Sequence, residues 1–271
     1  MFSNTRSYLV KFDRIVVPMA KGQRSKLPLE LAFAFGRKFG SEITALTVKE
    51  EMKELTWSDK VRIVTNAYHD GKERNIKVVP RVRTAKSVKK GMAEELNGSS
   101  YDLMLLGTNR RASLSGSVFG GLGDFLIKNT TIPTAVFSIK GDEVMYRRIL
   151  VPLAESTTTR RALAFAIQLK NCLNSELVLL DLRKYDLKKT HGFQQFFDNL
   201  GKVNEAFGPD LKIVRGGGEA SMSLEVKNAI EEYGSDLLAM GVRAGEKGNI
   251  RFSSEFKALV KDNQIDSLVF R

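Results

Sequence analysis

Short apolar runs rich in β-branched residues alternate along this chain with longer segments whose apolar residues recur at helical spacing. In the first half the runs fall near Arg14–Met19, Glu42–Val48, Ile76–Val82, Tyr101–Leu106 and Pro133–Ser138, and each predicts a buried strand. Between the first two, Leu27, Leu31, Phe35 and Phe39 recur every four residues and so share one helix face. Asp59–Arg74, Ala85–Leu96 and Gly121–Asn129 carry similar patterns. Five strands alternating with four helices predict right-handed βαβ crossovers and a parallel sheet covered on both faces.

The second half repeats the first. RIVVPMA from Arg14 matches RILVPLA from Arg148, SEITALTV from Ser41 matches SELVLLDL from Ser175, and YDLMLLG from Tyr101 matches SDLLAMG from Ser235, each pair 134 residues apart. IPTAVF from Ile132 pairs with IDSLVF from Ile265 at a step of 133, so the second copy has lost one net residue between Gly241 and Ile265. The expected organisation is two α/β domains, 1–146 and 147–271. The apolar stripes are core, and ligands of such sheets sit beyond the carboxyl ends of the strands, where strand order reverses.

Composition narrows the chemistry. With 42% hydrophobic and 27% charged residues the chain is globular, and no run approaches the roughly 18 to 20 apolar residues of a spanning helix. The opening MFSNTRSYLVKF lacks the apolar core of a secretory signal, which predicts a cytoplasmic protein. One cysteine, Cys172, lies in a helical pattern as a small buried hydrophobe. His69 and His191 lack metal-ligand spacing, so a zinc site or a histidine triad has no residues to build on. Of the net charge of +12, the first 146 residues carry 24 basic against 15 acidic residues, the rest 19 against 16. That excess favours anionic partners, but no basic stretch is interleaved with exposed aromatics, and no nucleic acid is expected.

The VP turn after the first strand, the DLxxxG fourth strand and the glycine-spaced loop behind it resemble the universal stress protein family, in both copies. The resemblance implies two tandem open five-stranded parallel sheets of order 3-2-1-4-5 with helices on both faces. It also implies an adenine-nucleotide crevice between the first and fourth strands, built on a loop of form G-x2-G-x9-G-[ST] and an aspartate after the VP. The logic of such a loop is that glycines let backbone amides approach phosphate at a helix start.

Carried onto this sequence, the resemblance places the first copy's candidate ligand set at Met19 and Ala20, at Val48, and at Gly107, Asn109, Arg110, Arg111, Ser113, Gly120 and Gly121. Arg110 stands for the second glycine, Gly121 for the serine or threonine, and Ala20 for the aspartate. Two readings of the arginines stay open: a guanidinium that binds phosphate itself, or a side chain that blocks or relaxes the loop. The weaker set of the second copy is Gly241, Arg243, Ser253 and Ser254, with Ala244 and Ala154 replacing the second glycine and the aspartate. RGGGEAS, from Arg215, has the look of a phosphate loop but follows the third strand, away from the crevice.

These features predict a non-enzymatic stress-response or regulatory module. Its crevice, altered in both halves and better preserved in the first, takes ATP, AMP or another anionic nucleotide, or nothing. ATP hydrolysis lacks the aspartate, the glycine and any carboxylate cluster near the loop beyond Asp124, so no catalytic or metal residue is assigned. The fifth strands, TAVFSI and DSLVF, are expected to pair the two domains as an internal dimer, with a homodimer of the whole chain also open. The alternative is a cytosolic domain of a cation antiporter or amino-acid transporter. In that case the protein works at the cytoplasmic face of the membrane, and Met1 replaces the end of a membrane domain.

Overall fold

Apolar runs that are buried on both faces become parallel strands, and the stripes of 3.6-residue period become the helices that cover them. The computed structural model describes residues 11–20, 25–51, 57–109, 118–141, 145–153, 157–182, 211–217, 221–242, 250 and 252–271. They divide into two compact units, Lys11–Val144 and the part from Met145 to Arg271.

The first unit runs β1 (Arg14–Pro18), α1 (Lys26–Phe39), β2 (Glu42–Glu50), α2 (Trp57–Glu73), β3 (Val78–Ala85), α3 (Val88–Gly98), β4 (Leu103–Asn109), α4 (Gly120–Asn129) and β5 (Thr134–Ile139). Its strands are parallel in the order β3-β2-β1-β4-β5. The sequence expectation of a 3-2-1-4-5 sheet therefore holds, with the order reversing at β1 and β4. Leu27, Leu31 and Phe35 of α1 are buried on the sheet, and Phe39 packs against Phe35 at 6.0 Å between ring centroids.

The second unit runs β6 (Arg148–Leu153), α5 (Thr157–Leu173), β7 (Glu176–Asp181), β8 (Leu211–Arg215), α6 (Met222–Tyr233), β9 (Leu237–Gly241), α7 (Ser254–Asp262) and β10 (Asp266–Phe270). Its parallel order, β8-β7-β6-β9-β10, is again 3-2-1-4-5. The counterpart of α2 falls between β7 and β8, outside the described residues. Among the described residues no helix is long and apolar enough to cross a membrane.

Polar devices repeat in the same register as the strands. Asp102 accepts from the backbone N–H groups of Asp13 and Arg14, and Asp236, 134 residues on, accepts from those of Arg147 and Arg148. The aspartate of each DLxxxG strand thus ties β4 or β9 to the entry of the neighbouring strand. Ser41 donates to the Phe12 carbonyl, and Ser175 donates to that of Tyr146. Gly40 and Asn174, which follow α1 and α5, both hold the left-handed backbone that ends a helix, at φ of 73° and 55°. After α4 and α7 the step is 133: Thr130 donates to the Leu126 carbonyl and shares a hydrogen bond with Thr134, and Asn263 does the same with Leu259 and Ser267. The lost residue therefore lies before Leu259, a narrower window than the sequence alone provides.

Two boundaries in the first unit differ from the pattern. Ala85, expected in a helix, ends β3, because Ser87 is extended and its hydroxyl accepts from Lys90 N–H to start α3 at Val88. β3 also begins later and runs longer than expected, pairing with Ile43–Glu50 along its whole length. Arg81 and Arg83 of this edge strand reach the Glu95 carboxylate of α3 at 2.8 and 3.1 Å, where Tyr101 and Ser99 also donate, each at 3.0 Å. Glu95 is 1% exposed. Burial pushes its carboxyl up, but the hydrogen bonds of Tyr101 and Ser99 and the guanidinium charges outweigh burial and hold it below the ordinary range. The network fixes α3, and with it one wall of the crevice described next.

Candidate functional site

The carboxyl ends of β1 and β4 diverge where the strand order reverses, and a cavity of about 240 Å³ opens there. Six of the first-copy candidates, Met19, Ala20, Val48, Gly107, Gly120 and Gly121, line it together. Asn109 ends β4. Arg110, Arg111 and Ser113, like Arg243 and Ala154 of the second copy, lie outside the described residues.

Gly120 holds φ of 81°, which explains why this glycine keeps its place in the altered loop. Gly123 is required for a different reason, since a Cβ there would sit 2.7 Å from Phe119 Cβ and 3.1 Å from Thr108 Cγ2. Its bare backbone lets the first turn of α4 close on β4. Gly121 has room: a Cβ would meet only Lys89, at 3.6 Å from Nζ, an ordinary contact.

The start of α4 carries no side-chain cap and no acidic residue in its first turn. Helix-start N–H groups lack intrahelical partners and carry partial positive charge, so this end favours an anion. Asp124 holds the approach to the helix, its carboxylate accepting from Val118 N–H at 3.1 Å and Phe119 N–H at 2.9 Å. The carboxylate considered for a metal role is therefore engaged in shaping the turn. Among the described residues no group of three His, Cys, Asp or Glu side chains is placed to hold a metal ion.

Several lining residues escaped the sequence reading. Ser25 accepts from Ala20 N–H at 2.7 Å. Thr108 donates to the Phe137 carbonyl at 3.1 Å and is satisfied. Thr47, 1% exposed, also lines the cavity, but its buried hydroxyl has no hydrogen-bond partner. Lys60 of α2 also lines the cavity, and Val88 and Met92 of α3 extend the apolar wall. These residues come from β2, α2 and α3, each at a spacing that reads as ordinary helix or strand surface. Only the orphan hydroxyl and the uncapped helix end, both features of the fold, mark them as parts of a site.

The equivalent place in the second unit is built differently. Gly241 ends β9, and Ser253 caps α7 by accepting from Phe256 N–H at 3.1 Å, with Ser254 the first helical residue and Glu255 in the first turn. This helix end is capped by its own chain and faced by its own acid. Asp181, buried at the end of β7, stands where Thr47 stands in the first unit. The glycines of RGGGEAS tell a similar story. Gly216 and Gly217 border a hollow with Glu225, and a Cβ on Gly216 would collide with the Glu225 carboxylate. An anion entering that loop would meet a buried acid.

Residues 11–138 match the family model described as the universal stress protein family. The fold is shared with a putative universal stress protein from Pseudomonas aeruginosa UCBPP-PA14, at 13% identity and a TM-score of 0.67, covering 95% of this chain and 92% of that one. It is shared also with a universal stress protein from Archaeoglobus fulgidus DSM 4304, at 14% identity and a TM-score of 0.60, covering 95% and 97%. The cytoplasmic domain of a prokaryotic cation chloride cotransporter is similar at 11% identity and a TM-score of 0.57, over 96% and 95%. No curated protein matches the sequence.

Proposed function

We propose that this chain, which belongs to the universal stress protein family over residues 11–138, is a non-enzymatic regulatory module. In this reading its first unit holds an adenine nucleotide or related anion in the crevice between β1 and β4, and the second unit has lost that capacity. The carrying observation is the contrast between α4, uncapped and open to a cavity with an orphan hydroxyl, and α7, capped by Ser253 and faced by Glu255. The engagement of Asp124 with two backbone N–H groups supports binding without turnover, because it leaves that carboxylate shaping the loop.

Binding to the native state raises the melting temperature by mass action, by about 2.7 kcal/mol of added stability when ligand is a hundredfold above its Kd. AMP or ATP should therefore raise the melting temperature of the full chain by several degrees, beyond chloride at matched ionic strength. No shift with any nucleotide at millimolar concentration would overturn the reading.

A second reading, a regulatory domain working at a membrane transporter, draws support from the fold shared with the cotransporter's cytoplasmic domain and from the basic first half. Binding of the full chain to vesicles with acidic headgroups, reversed by salt, would favour it.

A further inference from the structure

The two units end differently at their third-strand edges. In the first, Ile43 N–H donates to the Lys77 carbonyl at 2.9 Å and Glu51 N–H to that of Ala85 at 3.0 Å. Backbone groups alternate in direction along a strand, so the odd-numbered residues of β3 turn theirs to β2 and the even-numbered ones turn theirs away. Pro80 stands at one of those outward places, opposite Ala45 in the ladder. A proline has no N–H to offer, and so it blocks that edge to a further strand.

In the second unit, Gly216 N–H donates to the Asp181 carbonyl at 3.1 Å, so Lys212 and Val214 turn their backbone groups to β7 while Leu211, Ile213 and Arg215 turn theirs outward. Ala45 has its repeat in Leu179, 134 residues on, and Leu179 stands opposite Ile213. Ile213 therefore occupies the place of Pro80, and the second copy has a donor where the first has none. Its side chain is 37% exposed. Among the described residues β8 has a strand partner on the β7 side alone, and the outward N–H groups of Ile213 and Arg215 make no backbone hydrogen bond.

The strand reads LKIVR, with two cations and no acid. The Lys212 ammonium lies over the Tyr233 ring at 4.4 Å, Arg215 is exposed, and neither has an ion pair among the described residues. A second copy of this edge would bring two cations from each chain onto one seam, in a protein of net charge +12. Charge complementarity instead selects an acidic occupant.

We infer that the outer edge of β8 docks an extended acidic segment of another protein, which adds to the sheet as a further strand. Lys212 and Arg215 are three residues apart and so project to opposite faces of the strand. The fitting segment therefore carries an acid, two apolar residues opposite Ile213 and Val214, and a second acid. This docking edge is independent of the crevice in the first unit.

The test is amide hydrogen exchange of the full chain, followed by NMR, with the capped peptides TEVVET and TKVVKT as probes. The acidic peptide should slow exchange at Ile213 and Arg215 and leave Lys212 and Val214, already bonded to β7, unchanged. The basic peptide should bind about tenfold more weakly, because like charges then face each other. Ile213→Pro, which copies the edge of the first unit, should weaken the acidic peptide about tenfold, with its melting temperature reporting on folding. Lys212→Glu together with Arg215→Glu should reverse the preference in favour of the basic peptide, which keeps the inference testable if the proline variant does not fold. No protection by the acidic peptide, equal binding of the two peptides, or binding indifferent to either set of substitutions overturns the inference. Protection of the same amides that grows with chain concentration alone also overturns it, since a second copy then covers the edge.

Discussion

Thr47 and Gly120 show how the site is written one residue at a time. The Thr47 hydroxyl is buried without a partner, so Thr47→Val removes an unmet polar group at constant shape and should stabilise the unliganded chain by about 1 kcal/mol. The same change should shrink the AMP-induced rise in melting temperature. Thermal scans with and without AMP check both effects, and a destabilised Thr47→Val chain would show that the hydroxyl is satisfied. Gly120 is the backbone counterpart. At φ of 81° an alanine is strained by about 1 to 2 kcal/mol, whereas Gly121→Ala, facing only Lys89, should leave the melting temperature within a degree or so. The retained glycine was visible in the sequence as spacing, but its reason, a left-handed backbone, became visible only in the fold.

Elements decide which of these residues meet. The order of strands and helices was legible from apolar periodicity, because burial on both faces leaves little freedom in how such runs pack. The β1–β4 crevice was legible only as what the family resemblance implies, carried by the VP turn and the DLxxxG strand. Lys60 and Thr47 were not, because each belongs to a different element and looks, along the chain, like any polar position on a covered surface. The start of α3 was misplaced for a related reason: Ser87 caps the helix where the apolar pattern runs on into β3.

α3 is held by Glu95, and this gives a prediction at the same scale. Glu95 titrates below the ordinary carboxyl value of about 4.3, so its contribution to stability is present above that value and is lost as pH falls through the lowered one. Glu95→Gln should cost about 1 to 3 kcal/mol at neutral pH and flatten the acid limb of the stability curve. Urea unfolding at a series of pH values from neutral downward would read both. An unchanged acid limb would mean that other carboxylates govern it.

Across the whole molecule, duplication has preserved the frame and divided the chemistry. Asp102 and Asp236, Ser41 and Ser175, and Gly40 and Asn174 hold the same jobs in the two units. The helix starts behind the fourth strands have diverged: α4 has no cap from its N-cap side chain and no acid in its first turn, while α7 is capped by a serine and followed by a glutamate. The charge balance points the same way, with the basic excess concentrated in the half that keeps the open crevice. AMP binding should accordingly weaken as ionic strength rises.

The central claim is that one crevice of two binds an anionic ligand. Isothermal titration of the full chain with AMP measures this directly through its stoichiometry. The account predicts one site per chain, and two equivalent sites, or no binding at all, would contradict it.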